Sequence, residues 1–110
     1  MRSKRQRLRH LLCAGLVLAP MTGHSDPPAA RQAELMHLLK HDCGSCHGMT
    51  RKGGLGPALL PETLAMKTDA QLVLTVLDGR PGTPMPPWRG LLSAAEAAWL
   101  IDALRAGEGL

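Results

Sequence analysis

The pentapeptide CGSCH, Cys43 to His47, constrains this chain more than any other stretch, because two cysteines three apart with a histidine directly after them leave few uses open. A thioredoxin-like redox pair wants a strand and a βαβ setting, and zinc needs four ligands, usually completed by a second paired set. The sequence offers neither. Cysteines at this spacing can instead place their sulfurs under the two vinyl groups of one porphyrin edge and carry the next residue beneath the iron. The pattern reads as a c-type haem attachment signal, with Cys43 and Cys46 as the covalent anchors and His47 as an axial ligand. A plain disulfide in an oxidising compartment stays open as the alternative.

Compartment and charge follow from the first 25 residues. Five basic side chains (Arg2, Lys4, Arg5, Arg7, Arg9) precede the apolar run Leu11 to Met21, and small polar residues follow it. This is the layout of a secretory signal peptide, expected over 1–25 with cleavage near Ser25, and the run is too short to span a bilayer. Cys13 would leave with it. Removing the segment leaves eight basic against nine acidic side chains, so the pI near 9.4 belongs to the signal rather than to the mature domain. No basic, aromatic-interleaved patch remains to argue for nucleic acid. The expected product is an exported monomer with no membrane anchor after cleavage.

The remaining chain divides into a lead-in, 26–30, and one domain, 31–110. A domain of this size buries little apolar surface unaided, and this one has no Phe, no Tyr and two Trp. A large apolar cofactor would fill that deficit. Arg31 to Lys40 reads as a helix whose Leu35, Leu39 and Cys43 share one stripe. The segment from Gly48 to Leu64 carries Gly and Pro too densely for a regular element. Thr68 with Gln71 forms a capping box for a helix over Asp69 to Asp78, apolar almost all round and so expected to be well buried, with Gly79 as its terminator. Ser93 with Glu96 starts a last helix whose Ala97, Leu100, Ile101 and Leu104 mark one face and which ends at Gly107. No strand pattern appears, so the expected class is all-α.

A six-coordinate haem needs one more ligand, and TPMPPW offers Met85 between Pro84 and Pro86. Thioether ligation favours reduced iron, and the prolines stiffen the loop. Met36 and Met66 read as packing, and His37 and His41 as surface residues of the first helix. Gly56-Pro57 can supply a backbone carbonyl to the Nδ1 of His47; a bare turn is the rival reading.

In this order, CxxCH, GxGPxL, PMPP and a terminal amphipathic helix, the chain resembles a class I cytochrome c from Arg31 to Ala106. RQAELMHLLKHDCGSCHG, GGLGPALLPETL and GRPGTPMPPWRGLLS are most similar to the small cytochromes associated with cytochrome cd1 nitrite reductase in denitrifying bacteria. The resemblance implies three to four helices around one covalent haem c, thioethers at Cys43 and Cys46, axial ligation by His47 and Met85, and a supporting carbonyl at Pro57. It implies an electron-transfer protein rather than an enzyme, delivering single electrons to cytochrome cd1 nitrite reductase. Its alternative is a maturation factor working with the proteins that make haem d1. A small peroxidase would need the Met85 position open.

The family usually packs a glycine of the first helix against an aromatic of the last, but the aligned positions here are Leu35 and Ala103. The bulk is expected to have changed sides. Trp99 is expected half-buried on the flank of the last helix and Trp88 packed near the haem, and Arg51, Lys52, Lys67, Arg80 and Arg89 read either as a mildly basic docking rim or as solvated loop charges.

Overall fold

The computed structural model describes residues 25–108, so the expected signal segment, apart from Ser25, and its Cys13 lie outside the described residues. Helix α1 (Ala29–Leu38) passes without interruption into one π turn (Leu39–Cys43) and then into the short α2 (Gly44–His47). Three further helices follow: α3 (Pro61–Leu64), α4 (Asp69–Asp78) and α5 (Ala94–Arg105). The described residues contain no strand, in keeping with the all-α expectation.

Both capping boxes form as the sequence predicts. The Thr68 hydroxyl accepts from the Gln71 amide at 3.2 Å while the Gln71 side chain accepts from the Thr68 amide at 2.9 Å. Ser93 and Glu96 repeat the exchange at 3.1 and 2.8 Å. At the far end of α5, Gly107 takes φ 73°, the Gly107 amide donates to Leu104 and the Glu108 amide to Ala103. That pair of bonds is a Schellman motif, which satisfies carbonyls the helix would otherwise leave unpaired.

Helix α5 is the hub. It buries Ala97, Leu100, Ile101, Ala103 and Leu104 and packs against α1, α3 and α4. From α1 comes Leu35, which is fully buried, and from the first position of the π turn comes Leu39. The expected stripe therefore exists, and its third member, Cys43, is half-buried at the last position of the π turn. A π turn takes in one residue more than an α turn, so it resets the helical phase ahead of Cys46 and His47. Trp88 and Trp99 are both partly buried against the core, as expected.

Three expectations need correction. The Gly/Pro-rich stretch contains a helix after all, because Pro61 sits at the first position of α3, where its missing amide and fixed φ are helpful. Helix α4 is not buried all round: Leu72 and Leu77 are buried, yet Leu74 is 55% exposed. Met66 does not pack, being 89% exposed.

Two polar ties lock the helices together. Arg31 of α1 donates from Nε to Glu96 at 2.6 Å, and also reaches Glu34 at 2.8 Å and the Leu91 carbonyl at 3.2 Å. Arg105 of α5 donates to Asp69 at 2.7 Å and to the carbonyls of Leu64 and Lys67 at 3.2 and 2.7 Å, fastening the α3–α4 connection.

The Arg31 guanidinium, together with the Ser93 amide, holds the Glu96 carboxyl down to about 2, against an ordinary 4.5. A depressed carboxyl contributes its full stabilisation above the unfolded value and loses it as pH falls toward the folded one. Chemical unfolding of Glu96→Gln is therefore expected to show a weaker loss of stability between about pH 4.5 and pH 2 than the parent; parallel curves would count against the tie. Ala103→Trp, placed in the packed α5 face, is expected to destabilise by about 1–3 kcal/mol through overpacking. A raised melting temperature would show that Leu35 has not taken over the bulk.

Candidate functional site

Cys43, Cys46, His47 and Met85 all line one cavity of about 710 Å³. The first three arrive on the π turn and α2, and Met85 arrives on the loop between α4 and α5. The walls between them are mostly apolar, with Leu39, Leu72, Val76, Trp88 and Ile101 prominent. The volume lies within the roughly 300–1,000 Å³ typical of small-molecule and cofactor sites.

His47 is held from behind. Its Nδ1 lies 2.7 Å from the Pro57 carbonyl, which can only accept, so the proton sits on Nδ1 and the lone pair on Nε2. The loop carrying Pro57 is threaded onto α2 by backbone bonds: the Gly53 amide donates to the His47 carbonyl and the Gly56 amide to the Cys46 carbonyl, both at 2.8 Å. Gly56 has no room for a side chain, since a Cβ there would stand 2.8 Å from the His47 ring.

Met85 is held by its own loop. Its carbonyl accepts from the Arg80 amide at 3.2 Å, and its amide donates to the Thr83 hydroxyl at 3.3 Å. The Trp88 and Arg89 amides donate to the Val76 and Leu77 carbonyls at the end of α4, each at 3.1 Å. Gly79, at φ 67°, lies so close to the Met85 carbonyl that a Cβ would stand 2.7 Å from it.

Neither Cys43 nor Cys46 is in a disulfide. Burial, helped by Asp42, pushes the Cys43 thiol up to about 11. Redox-active CxxC pairs work through a thiolate with a lowered value, so this environment is unlike theirs. Two uncommitted thiols, a histidine fixed in one tautomer, a thioether and a large apolar cavity together suit a c-type haem. His37 and His41, with ring centroids 4.3 Å apart, are exposed on the first helix and do not line the cavity.

The expected basic rim is altered. Arg51 is 1% exposed and cannot belong to a docking surface. Its amide donates to the Gly48 carbonyl at 2.8 Å and its carbonyl accepts from Leu59 at 2.9 Å, which pull the residue inward at φ 57°. Arg89 is engaged with Asp78, its Nε donating at 2.9 Å. Lys52, Lys67 and Arg80 remain exposed, and the last two line the cavity as well as the neighbouring surface depression that contains Leu74. The burial of Arg51 has no signal in the sequence beyond its place in a glycine-rich loop.

Residues 30–102 match the family model described as "Cytochrome C oxidase, cbb3-type, subunit III". A curated relative from Pseudomonas aeruginosa, "Cytochrome c55X", is 55% identical over 94% of this chain and 92% of its own. Among solved structures, "c-type cytochrome NirC" superposes with a TM-score of 0.73 at 64% identity, covering 76% of this chain and 98% of that one. "Dihydro-heme d1 dehydrogenase NirN in complex with DHE" superposes with a TM-score of 0.58 at 42% identity, covering 63% of this chain and 15% of that one. With this similarity running through the cavity-lining segments, the chain belongs to the c-type cytochromes, and among them to the cytochrome c55X group.

Proposed function

We propose that this protein is a periplasmic, monomeric, monohaem electron carrier whose acceptor is cytochrome cd1 nitrite reductase. Membership of the family implies haem c as the cofactor. The observation that carries the reading is the convergence of Cys43, Cys46, His47 and Met85 on one apolar cavity. In this reading the two cysteines would hold a single haem through thioethers, and His47 Nε2 and the Met85 sulfur would be the ligands to its iron. Held there, haem c supplies a one-electron ferric/ferrous couple.

The protein's part is to keep both ligands still. Pro57 fixes the His47 ring, Gly56 allows the loop to lie against it, and Pro84, Pro86 and Pro87 stiffen the chain around Met85. A methionine sulfur raises the potential by favouring the reduced state. With His47 and Met85 both engaged in holding the iron, the metal would offer substrate no place to bind, which favours a carrier over a peroxidase. The signal-like layout of residues 1–25 supports the periplasm, and no helix among the described residues is long and apolar enough to cross a membrane.

The visible spectrum of the purified protein tests the site. The expected result is sharp reduced bands of c-type haem together with the weak ferric red band of methionine ligation. Met85→Ala should keep the former and lose the latter; survival of the red band would remove Met85 from the metal.

A second reading is favoured by the superposition on the dihydro-heme d1 dehydrogenase: the electron is exchanged with a protein that makes haem d1. Deleting the gene separates the two, since nitrite reductase that lacks haem d1 indicates maturation and a complete but unreduced enzyme indicates the donor role. For the donor role, docking falls to Lys67 and Arg80 around Leu74. The rate of electron transfer to nitrite reductase is then expected to fall as ionic strength rises, and to fall several-fold at low salt when Lys67 and Arg80 become Gln. A flat salt response in the parent would place docking elsewhere.

A further inference from the structure

Arg51 combines three features that are each unfavourable. It is the one charged side chain among the described residues that is fully buried, at 1% exposure. Its Nε has no hydrogen-bond partner. Its backbone, at φ 57°, occupies the left-handed region that non-glycine residues seldom adopt, and it is the only such residue among those described. A guanidinium does not escape by losing its proton, so the positive charge stays in the interior.

Ordinary packing by the aliphatic stem accounts for some of the burial. It does not account for an unpaired charge at the end of that stem, because burying one without a partner is costly and a leucine would fill space without the penalty. Nor does the residue belong to the cavity wall. Its amide is bonded to Gly48, the residue after His47, and its charge is near enough to act on the Cys43 thiol, opposing the effect of burial there. Arg51 is thus tied by its backbone to the residue that follows the CxxCH segment, with its charge within reach of a proposed anchor.

Resting on the electron-carrier reading above, we propose that Arg51 is a fixed interior charge that raises the reduction potential of the bound haem. Reduction adds one electron to ferric iron, gives ferrous iron, and moves no proton or other group, so the site loses one unit of positive charge. A buried cation nearby favours the side of that equilibrium with less positive charge. Acting over about 10 Å at an effective dielectric near 20, a unit charge shifts such an equilibrium about tenfold.

The test is a redox titration of the purified haem-loaded protein, comparing the parent with Arg51→Gln, Arg51→Met and Arg51→Lys. At a fixed ambient potential, Gln and Met are expected to lower the ferrous-to-ferric ratio about tenfold, which for one electron is a potential about 59 mV lower. Lys keeps the charge without the guanidinium fork and is expected to stay within about threefold of the parent. The absorption bands, including the methionine band, should be the same throughout. Unchanged ratios in Gln and Met would overturn the proposal, as would a fall in Lys equal to theirs, which would mean that shape and not charge is at work. If Gln does not fold, Met preserves the stem and carries the same comparison. Absence of c-type haem bands in the parent itself would defeat the carrier reading instead, so the two failures are distinguishable.

Discussion

The hydrogen bond from His47 Nδ1 to the Pro57 carbonyl organises more of this molecule than its 2.7 Å suggests. The ring packs so close to Gly56 that no side chain fits between them, and the same loop supplies the amides that satisfy the carbonyls of Cys46 and His47. The α2 helix and the glycine loop thus form one unit. From that unit the chain leaves through Leu59, bonded to Arg51, and enters α3 at Pro61. Arg105 then secures the connection to α4, and the last carbonyls of α4 hold the loop that presents Met85. A continuous series of backbone and side-chain bonds therefore runs from one proposed axial position to the other.

The apolar core supplies the complementary half of the design. With no Phe and no Tyr, it is built mainly from leucines on α1, α4 and α5. Such a core is small for an independent domain. The distribution of α4 side chains shows how the deficit is met: Leu72 packs into the core while also lining the cavity, Val76 lines it too, and Leu74 faces away into solvent. What reads as a helix apolar all round is a helix with two apolar environments, one made of protein and one left for a flat apolar group. The proposed haem would then be structural as well as redox-active.

Where sequence was a good guide, the determining interaction was local. Thr68 with Gln71, Ser93 with Glu96, and Gly107 act within one turn at fixed offsets, so the helix ends could be read directly. Cys43 to His47 was equally legible as a motif, because covalent spacing dictates it. The misses have a shared cause too. The π turn leaves no residue signature, and α3 is four residues long inside a stretch whose Gly and Pro content speaks for loop. Leu74 and Arg51 were misplaced because their burial depends on which distant segments fold over them. Composition places an arginine on the surface by default; two backbone bonds in a glycine loop overrode that default here.

Counting basic residues treats Arg51, Lys67, Arg80 and Arg89 alike, whereas the fold gives their charges different physics. Arg89 is largely spent on Asp78. Lys67 and Arg80 stand in water, where mobile ions screen them over about 10 Å at ordinary salt, so they can influence a partner's approach but only weakly the iron. Arg51 is shielded from those ions by the protein around it, so it is poorly placed to steer a partner, and in the proposal above its charge acts through the interior instead. In the carrier reading, thermodynamics and encounter kinetics are thereby assigned to separate residues. Salt or a surface substitution can alter how often the protein meets its partner while leaving the energy of the transferred electron nearly fixed.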